Sequence, residues 1–399
     1  MLFAKERHEV IDGKPWDEHL VQKIIRDISS DALSTFHPKT LFPASPLDEP
    51  SHPHLGSGHY FGAGGVLWAL DYLSRDTLID LDTTWLVDSL SGLLPRFPKE
   101  AKARGPLSNV TSLLFGDLPI LLQLFELTRE QIWQEKAVAR IKESVADPVR
   151  ELMWGTPGIL LVSGVIRDQK FRADVVQFDR QNLDKLYDAW SYEHSGLHLW
   201  FEELYGSRHA VLGTVHGFFG QVLPLIRRLD ELPKIRQATV LERTRDVFCQ
   251  TAVRESGLAN WPVMLDEDRD LLVHYCHGAP GIVSSACSFP EDNDREFDQI
   301  LLEGGELIWQ AGPLKKGSNL CHGTGGNGFT FLKLFTRTGD QLWLDRARAF
   351  AMHSIMQYQS AREEIGHSRF SLWTGDAGLA VFLRQCLVGE SKMPVIDVL

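Results

Sequence analysis

A Gly-x-x-Gly unit recurs along this 399-residue chain, at Gly62–Gly65, Gly155–Gly158, Gly217–Gly220, Gly278–Gly281, Gly323–Gly326 and Gly375–Gly378, with a degenerate copy at Gly116-Asp117-Leu118-Pro119. Successive copies start between 39 and 62 residues apart. A single unit means little, but seven at helical-hairpin spacing, each opening an apolar run, predict a repeat array. Val66-Leu67-Trp68-Ala69-Leu70 and Leu379-Ala380-Val381-Phe382-Leu383 are apolar nearly all round, the pattern of a helix buried on every side. Between copies, stretches such as Gln341–Phe350 mix charge with an apolar stripe, as an outer helix does. The expected fold is all-α: an α/α toroid of about seven inner and seven outer helices, the inner ones all starting at one mouth. Their unpaired N–H groups and positive dipole ends would ring that mouth. An open solenoid or two stacked helical domains is the alternative that spacing alone leaves.

With 43% hydrophobic residues the chain can bury a large core, and no Gly/Ser-rich linker interrupts the repeat. The division expected is 1–57, a helix over Trp16–Ser29 followed by a Pro/His-rich irregular segment, and 58–399, the toroid. A balance of 41 basic to 53 acidic residues disfavours nucleic acid as the main partner, because neutralising phosphates takes clustered Lys and Arg. The polar start, the absence of a charge-free stretch of transmembrane length and an odd count of five cysteines lead us to expect a cytoplasmic protein with reduced thiols and no integral membrane segment. Cys249, Cys287 and Cys386 read as core residues, and His52, His54 and His59 as surface loop histidines rather than metal ligands.

Two segments place cysteine and histidine directly before a motif glycine: His274-Tyr275-Cys276-His277-Gly278 and Leu320-Cys321-His322-Gly323. They stand one repeat apart, so a toroid sets them side by side. Cysteine and histidine are zinc's preferred ligands, and three of them leave a fourth position open for chemistry. Cys276, Cys321 and His322 form such a set. His277 occupies the slot of His322 one copy earlier, and its participation would close the site as Cys₂His₂; the residues alone leave both arrangements open. His216 takes the same slot in Thr214-Val215-His216-Gly217 without a cysteine, which suits a proton donor or acceptor. Glu151, four residues before Gly155, could orient it or share in proton transfer.

These segments resemble the lanthionine synthetase C-like (LanC-like) family over most of the chain. Asn319–Asn327 is similar to its Cys-His-Gly signature, Arg269–Gly281 to the matching segment of eukaryotic-type members, and Thr214–Gly220 to its Ala-His-Gly-x-x-Gly element, with Val for Ala; Leu314–Gly317 and Phe370–Trp373 also match. The resemblance implies an α/α toroid with Zn²⁺ at its mouth, Cys276, Cys321 and His322 as ligands, and a thiol activated for conjugate addition to a dehydroamino acid. His216 would manage the proton of the enolate. The partners implied are glutathione or a peptide cysteine as thiol, and a peptide or protein carrying dehydroalanine or dehydrobutyrine. Tyr275-Cys276-His277-Gly278 stands where the peptide cyclases commonly have Trp-Cys-Tyr-Gly, and Glu151 where they have Asp, which favours glutathione addition over ring closure. Lys315 and Lys316, shortly before Cys321, and Arg369, before the last motif, are the cations placed to pair with glutathione carboxylates.

The alternatives are a lanthionine-ring-forming cyclase and a non-catalytic scaffold that binds zinc and glutathione. A toroidal glycosidase would need two inward carboxylates, and the motifs carry Cys and His instead. A zinc prenyltransferase would use the acidic run Asp266-Glu267-Asp268-Arg269-Asp270 for diphosphate, and that run reads better as a solvated loop.

Overall fold

The computed structural model describes residues 1–47, 56–104, 111–201, 209–265, 271–291 and 294–399. His52, His54 and the 266–270 run lie outside them. In chain order the helices are α1 (Glu18–Thr35), α2 (Ala63–Ser74), α3 (Thr83–Leu93), α4 (Phe97–Arg104), α5 (Leu118–Thr128), α6 (Gln131–Ser144), α7 (Thr156–Gly164), α8 (Gln169–Asp188), α9 (Phe218–Arg227), α10 (Lys234–Gln250), α11 (Ala279–Ala286), α12 (Arg295–Ala311), α13 (Thr324–Thr338), α14 (Gln341–Ile365) and α15 (Asp376–Val388).

Each recurring glycine motif opens one of α2, α5, α7, α9, α11, α13 and α15, and these helices are buried along most of their length. They are the inner layer. The degenerate copy works as well as the others, because Pro119 falls in the first turn of α5, where a missing N–H costs nothing. The outer layer is α3, α6, α8, α10, α12 and α14, completed by α1. The last inner helix, α15, packs on the first, α2, and closes the ring. α1 lies against α15, so the chain's first helix is the outer partner of its last inner one. It starts at the Asp17 cap, whose carboxylate accepts from Leu20 N at 3.0 Å, and continues past Ser29 to Thr35 because Ile28, Ser29 and Ala32 extend its buried stripe.

Two small antiparallel hairpins depart from an all-helical pattern: β1 (Tyr192–His194) with β2 (Leu197–Leu199), and β3 (Val253–Glu255) with β4 (Leu258–Asn260). Each turns on a Ser-Gly pair with positive φ at both residues, 52° and 83° at Ser195-Gly196 and 54° and 80° at Ser256-Gly257. That is the two-residue turn whose twist suits a hairpin. The hairpins follow α8 and α10, in consecutive repeats.

The mouth also corrects one expectation from sequence. At α2 the N–H groups of Ala63, Gly64 and Gly65 donate to the carbonyls of Gly56, Ser57 and Gly58; at α13 those of Thr324, Gly325 and Gly326 donate to Gly317, Ser318 and Asn319; at α9 those of Phe218 and Phe219 donate to Val211 and Leu212. The glycine turn folds the preceding loop back over the helix start and uses the donors there. The helix dipoles still point at the mouth, but these N–H groups are not left for a ligand.

Gly326 shows why the motif needs glycine. A Cβ there would sit 1.8 Å from the Leu320 carbonyl oxygen, a backbone atom that cannot swing aside. Gly326→Ala should therefore cost roughly 2–4 kcal/mol, read as a lowered denaturant midpoint. An unchanged midpoint would show that the loop can retreat.

Candidate metal centre

Counted back from each motif glycine, two registers build the site. The residue two before the glycine is Tyr60, Leu114, Met153, Val215, Cys276, Cys321 or Trp373; the residue one before is Phe61, Phe115, Trp154, His216, His277, His322 or Thr374. The backbone of the first register forms a belt around the mouth. Cys276 N donates to Cys321 O (3.1 Å), Cys321 N to Trp373 O (2.9 Å), Trp373 N to Tyr60 O (3.2 Å), Tyr60 N to Leu114 O (3.1 Å) and Leu114 N to Met153 O (3.4 Å). The belt crosses the seam between the last repeat and the first.

The second register divides the rim in two. One part is aromatic, with Phe61 and Phe115 ring centroids 6.1 Å apart and Phe115 stacked on Trp154 at 4.2 Å. The other is imidazole, with His216 and His277 at 5.5 Å. Turn geometry repeated at each motif thus places three histidines and two cysteines on neighbouring points of one rim.

Cys276 Sγ, Cys321 Sγ and one nitrogen of His322 all lie within 4.8 Å of one another. Both cysteines are buried and His322 is half-buried. Two soft sulfurs and an imidazole at such spacing could hold a metal ion. The thiols do not share their protons equally. The Cys276 hydrogen bond, foremost, holds Cys321 well below the usual thiol range; burial opposes this, and His322 and Tyr60 assist it. That same contact, followed by burial, pushes Cys276 up. Tyr60, which the sequence reading did not single out, donates its hydroxyl to Cys321 Sγ at 2.8 Å. Burial, foremost, and then the charge of Cys321 push its phenol up, so it stays a donor. The signal was present, since Tyr60 occupies the register of the two cysteines.

His277 is not part of the cluster. Burial, foremost, and then the charge of His216 push its ring down to about 4. His274 is likewise pushed down to about 3, by burial and then Lys316. His59, expected from sequence on a surface loop, is instead fully buried in the first motif turn, and it lies outside the cluster.

His216 Nδ1 lies 2.6 Å from Glu151 Oε1, with Glu151 fully buried and the His216 side chain 24% exposed. The other Glu151 oxygen accepts from Trp154 N at 2.7 Å, which fixes the carboxylate. Burial alone would lower the His216 pKa, but contact with Glu151, its charge and that of Cys321 outweigh it and raise the value. The arrangement is an imidazole biased towards its charged form on the same rim as a two-sulfur cluster.

Of the three cations named from sequence, Lys316 and Arg369 act electrostatically on groups of this centre. Lys315 and Lys316 are exposed in the loop between α12 and α13, and the charge of Lys316 is felt at both Cys276 and His274. Arg369 acts on Tyr60, and its own backbone N–H is tied to Asp376 at 2.6 Å. Among the other cysteines, Cys386 is buried, Cys249 and Cys287 are half-buried, and none is in the cluster.

Known proteins share this architecture and sequence. Residues 126–398 match the family model described as lanthionine synthetase C-like protein. The chain is 29% identical over 343 residues to glutathione S-transferase LANCL1 of Danio rerio, covering 83% of this chain and 78% of that protein. A shorter stretch of 127 residues is 35% identical to LanC-like protein GCL1 of Arabidopsis thaliana, covering 30% of this chain and 28% of that one. Among solved structures, nisin cyclase superposes with a TM-score of 0.62 at 15% identity, covering 94% of this chain and 98% of its own, a likeness of fold. The family match spans well over half of the sequence and runs through every residue of the sulfur–imidazole cluster and the His216–Glu151 pair, and the chain belongs to the lanthionine synthetase C-like family.

Proposed function

We propose that this chain is a zinc-dependent enzyme of thioether formation, adding the thiol of glutathione to dehydroalanine or dehydrobutyrine residues in a peptide or protein. One observation carries the reading: a charge-biased His216–Glu151 pair shares the mouth with a cluster of two thiols and one imidazole. Cys276, Cys321 and His322 would hold the ion. Their sulfurs suit zinc better than magnesium or calcium, and three protein ligands leave one position for a thiol. When bound, zinc would supply a Lewis acid that keeps an incoming thiol deprotonated near neutral pH. Glu151 holds the proton on His216 and fixes the ring through Nδ1. As the thiolate sulfur bonds to Cβ of the dehydroamino acid, the electron pair of the alkene moves to Cα, and His216 delivers its proton there. The name of the Danio rerio relative, glutathione S-transferase LANCL1, supports glutathione as donor. All five cysteines are free, which suits a reducing, cytoplasmic setting.

The test is a competition. A peptide carrying both a dehydroalanine and a cysteine is incubated with the zinc-loaded protein and glutathione, and its products are resolved by mass spectrometry. The intermolecular glutathione adduct is expected. Exclusive ring closure would replace the glutathione assignment with the cyclase alternative, and no product above the uncatalysed background would leave the scaffold reading.

Lys316 and Arg369, with Lys315 next to Lys316 in the chain, would pair with the carboxylates of glutathione; the charge effects of Lys316 and Arg369 on the centre support this. Removing each of these cations by alanine substitution should raise the KM for glutathione roughly two- to fivefold, without loss of zinc. The effect should shrink as salt screens the charge. A salt-independent KM in the wild-type protein would remove the cations from the binding site.

A further inference from the structure

A metal centre that presents an activated thiol to an electrophilic alkene has a selectivity problem. Its own cysteine ligands are thiolates at the same site, and each could add to the alkene in place of the substrate thiol. The two cysteines here differ in this respect. Tyr60 donates its hydroxyl to Cys321 Sγ at 2.8 Å across 261 residues of sequence, and the contact is fully buried. The tyrosine is held in place from several sides. Its N–H donates to Leu114 O and its carbonyl accepts from Trp373 N, its ring lies parallel to that of Trp373 at 6.2 Å, and Phe61 packs edge-on at 4.4 Å. Cys321 is anchored to the same seam, since its own N–H donates to Trp373 O. The donor and the sulfur therefore share one rigid frame built where the first and last repeats meet.

We infer that Tyr60 is a positioning residue of the metal centre, whose hydroxyl draws electron density from the Cys321 sulfur and keeps it a spectator ligand while the substrate thiol reacts. This rests on Cys276, Cys321 and His322 binding a metal. Hydrogen bonds to a ligating atom both orient it and tune its donor strength, and those that involve a charged partner are the stronger class. Tyr60 also fits the repeat, since it fills in the first copy the register that Cys276 and Cys321 fill in theirs.

The experiment uses the full chain loaded with cobalt(II) in place of zinc, comparing wild type with Tyr60→Phe, which keeps the ring and removes only the hydroxyl. A thiolate relieved of its hydrogen bond gives up electron density more readily, so the sulfur-to-cobalt charge-transfer band should move to lower energy. Alkylation of the zinc-loaded chains by iodoacetamide, mapped by mass spectrometry, supplies a second reading. The ratio of Cys321 to Cys276 modification should rise roughly tenfold or more in Tyr60→Phe, with Cys276 as the internal reference. An unmoved band, or an unchanged ratio, would overturn the inference. If Tyr60→Phe does not fold, biosynthetic incorporation of 3-fluorotyrosine provides the opposite perturbation: the more acidic phenol is a stronger donor, and the band should move to higher energy, with no movement counting against the proposal. A wild-type chain that develops no sulfur-to-cobalt band fails the metal reading itself, and the Tyr60 inference with it.

Discussion

Cys321→Ala should abolish stoichiometric zinc binding and reduce thioether formation to the uncatalysed background. Cys321 Sγ lies within 4.8 Å of the Cys276 and His322 donor atoms, and it receives the Tyr60 hydrogen bond. Without it, one sulfur and one imidazole remain, too few to hold the ion against dilution or a chelator. The helices should persist, because the belt continues through this position by the backbone N–H of residue 321 to Trp373 O, which alanine keeps. Metal analysis after dialysis, alongside far-ultraviolet circular dichroism, separates loss of the ion from loss of the fold. Cys276→Ala should behave alike, and His277→Ala should keep the metal, since its ring lies outside the cluster. Full occupancy in both cysteine variants would refute the ligand assignment.

His216→Ala should retain zinc and fold but lose roughly 10²–10⁴-fold in rate, the usual contribution of a general acid or base. The pH dependence carries a further sign. Burial alone would lower the His216 pKa, and Glu151 raises it above its ordinary value. The proton-donating form is therefore present below that raised value and lost above it, giving a falling alkaline limb. Glu151→Gln removes the charge that holds the proton, so the limb should move to lower pH, with a smaller loss of rate at low pH than in His216→Ala. The same pair contributes to folding stability with the same sign: it is fully present below the unfolded histidine value, near about 6.5, and fades as pH rises through the folded one. An alkaline limb that stays in place in Glu151→Gln would assign the proton transfer elsewhere.

Much of this was readable in the sequence for simple reasons. The seven inner helices announce themselves because each needs a glycine to pass under a carbonyl and an apolar run to fill the centre. Cys276, Cys321 and His322 stood out because cysteine and histidine rarely precede a glycine turn twice, one repeat apart. Other features depend on long-range closure, which no local pattern records. Tyr60 joins Cys321 only because the first and last repeats meet. The place of α1 as the outer partner of α15 follows from that same closure. The hairpins at Ser195-Gly196 and Ser256-Gly257 are three residues long on each side, too short for their alternation to rise above the helical signal around them. The use of first-turn N–H groups by preceding carbonyls is likewise a property of how the loop folds back, invisible in the residue types.

The most direct test is single-turnover thioether formation on a dehydroalanine peptide with glutathione, measured by mass spectrometry on chains of matched zinc content. The expected result is one glutathione per dehydroalanine, formed by wild type at least about 10² times faster than by His216→Ala and not above background by zinc-free Cys321→Ala. Equal rates for the wild-type and His216→Ala chains, or undiminished product from zinc-free Cys321→Ala, would contradict a metal-held thiol and a histidine acid acting together at this mouth.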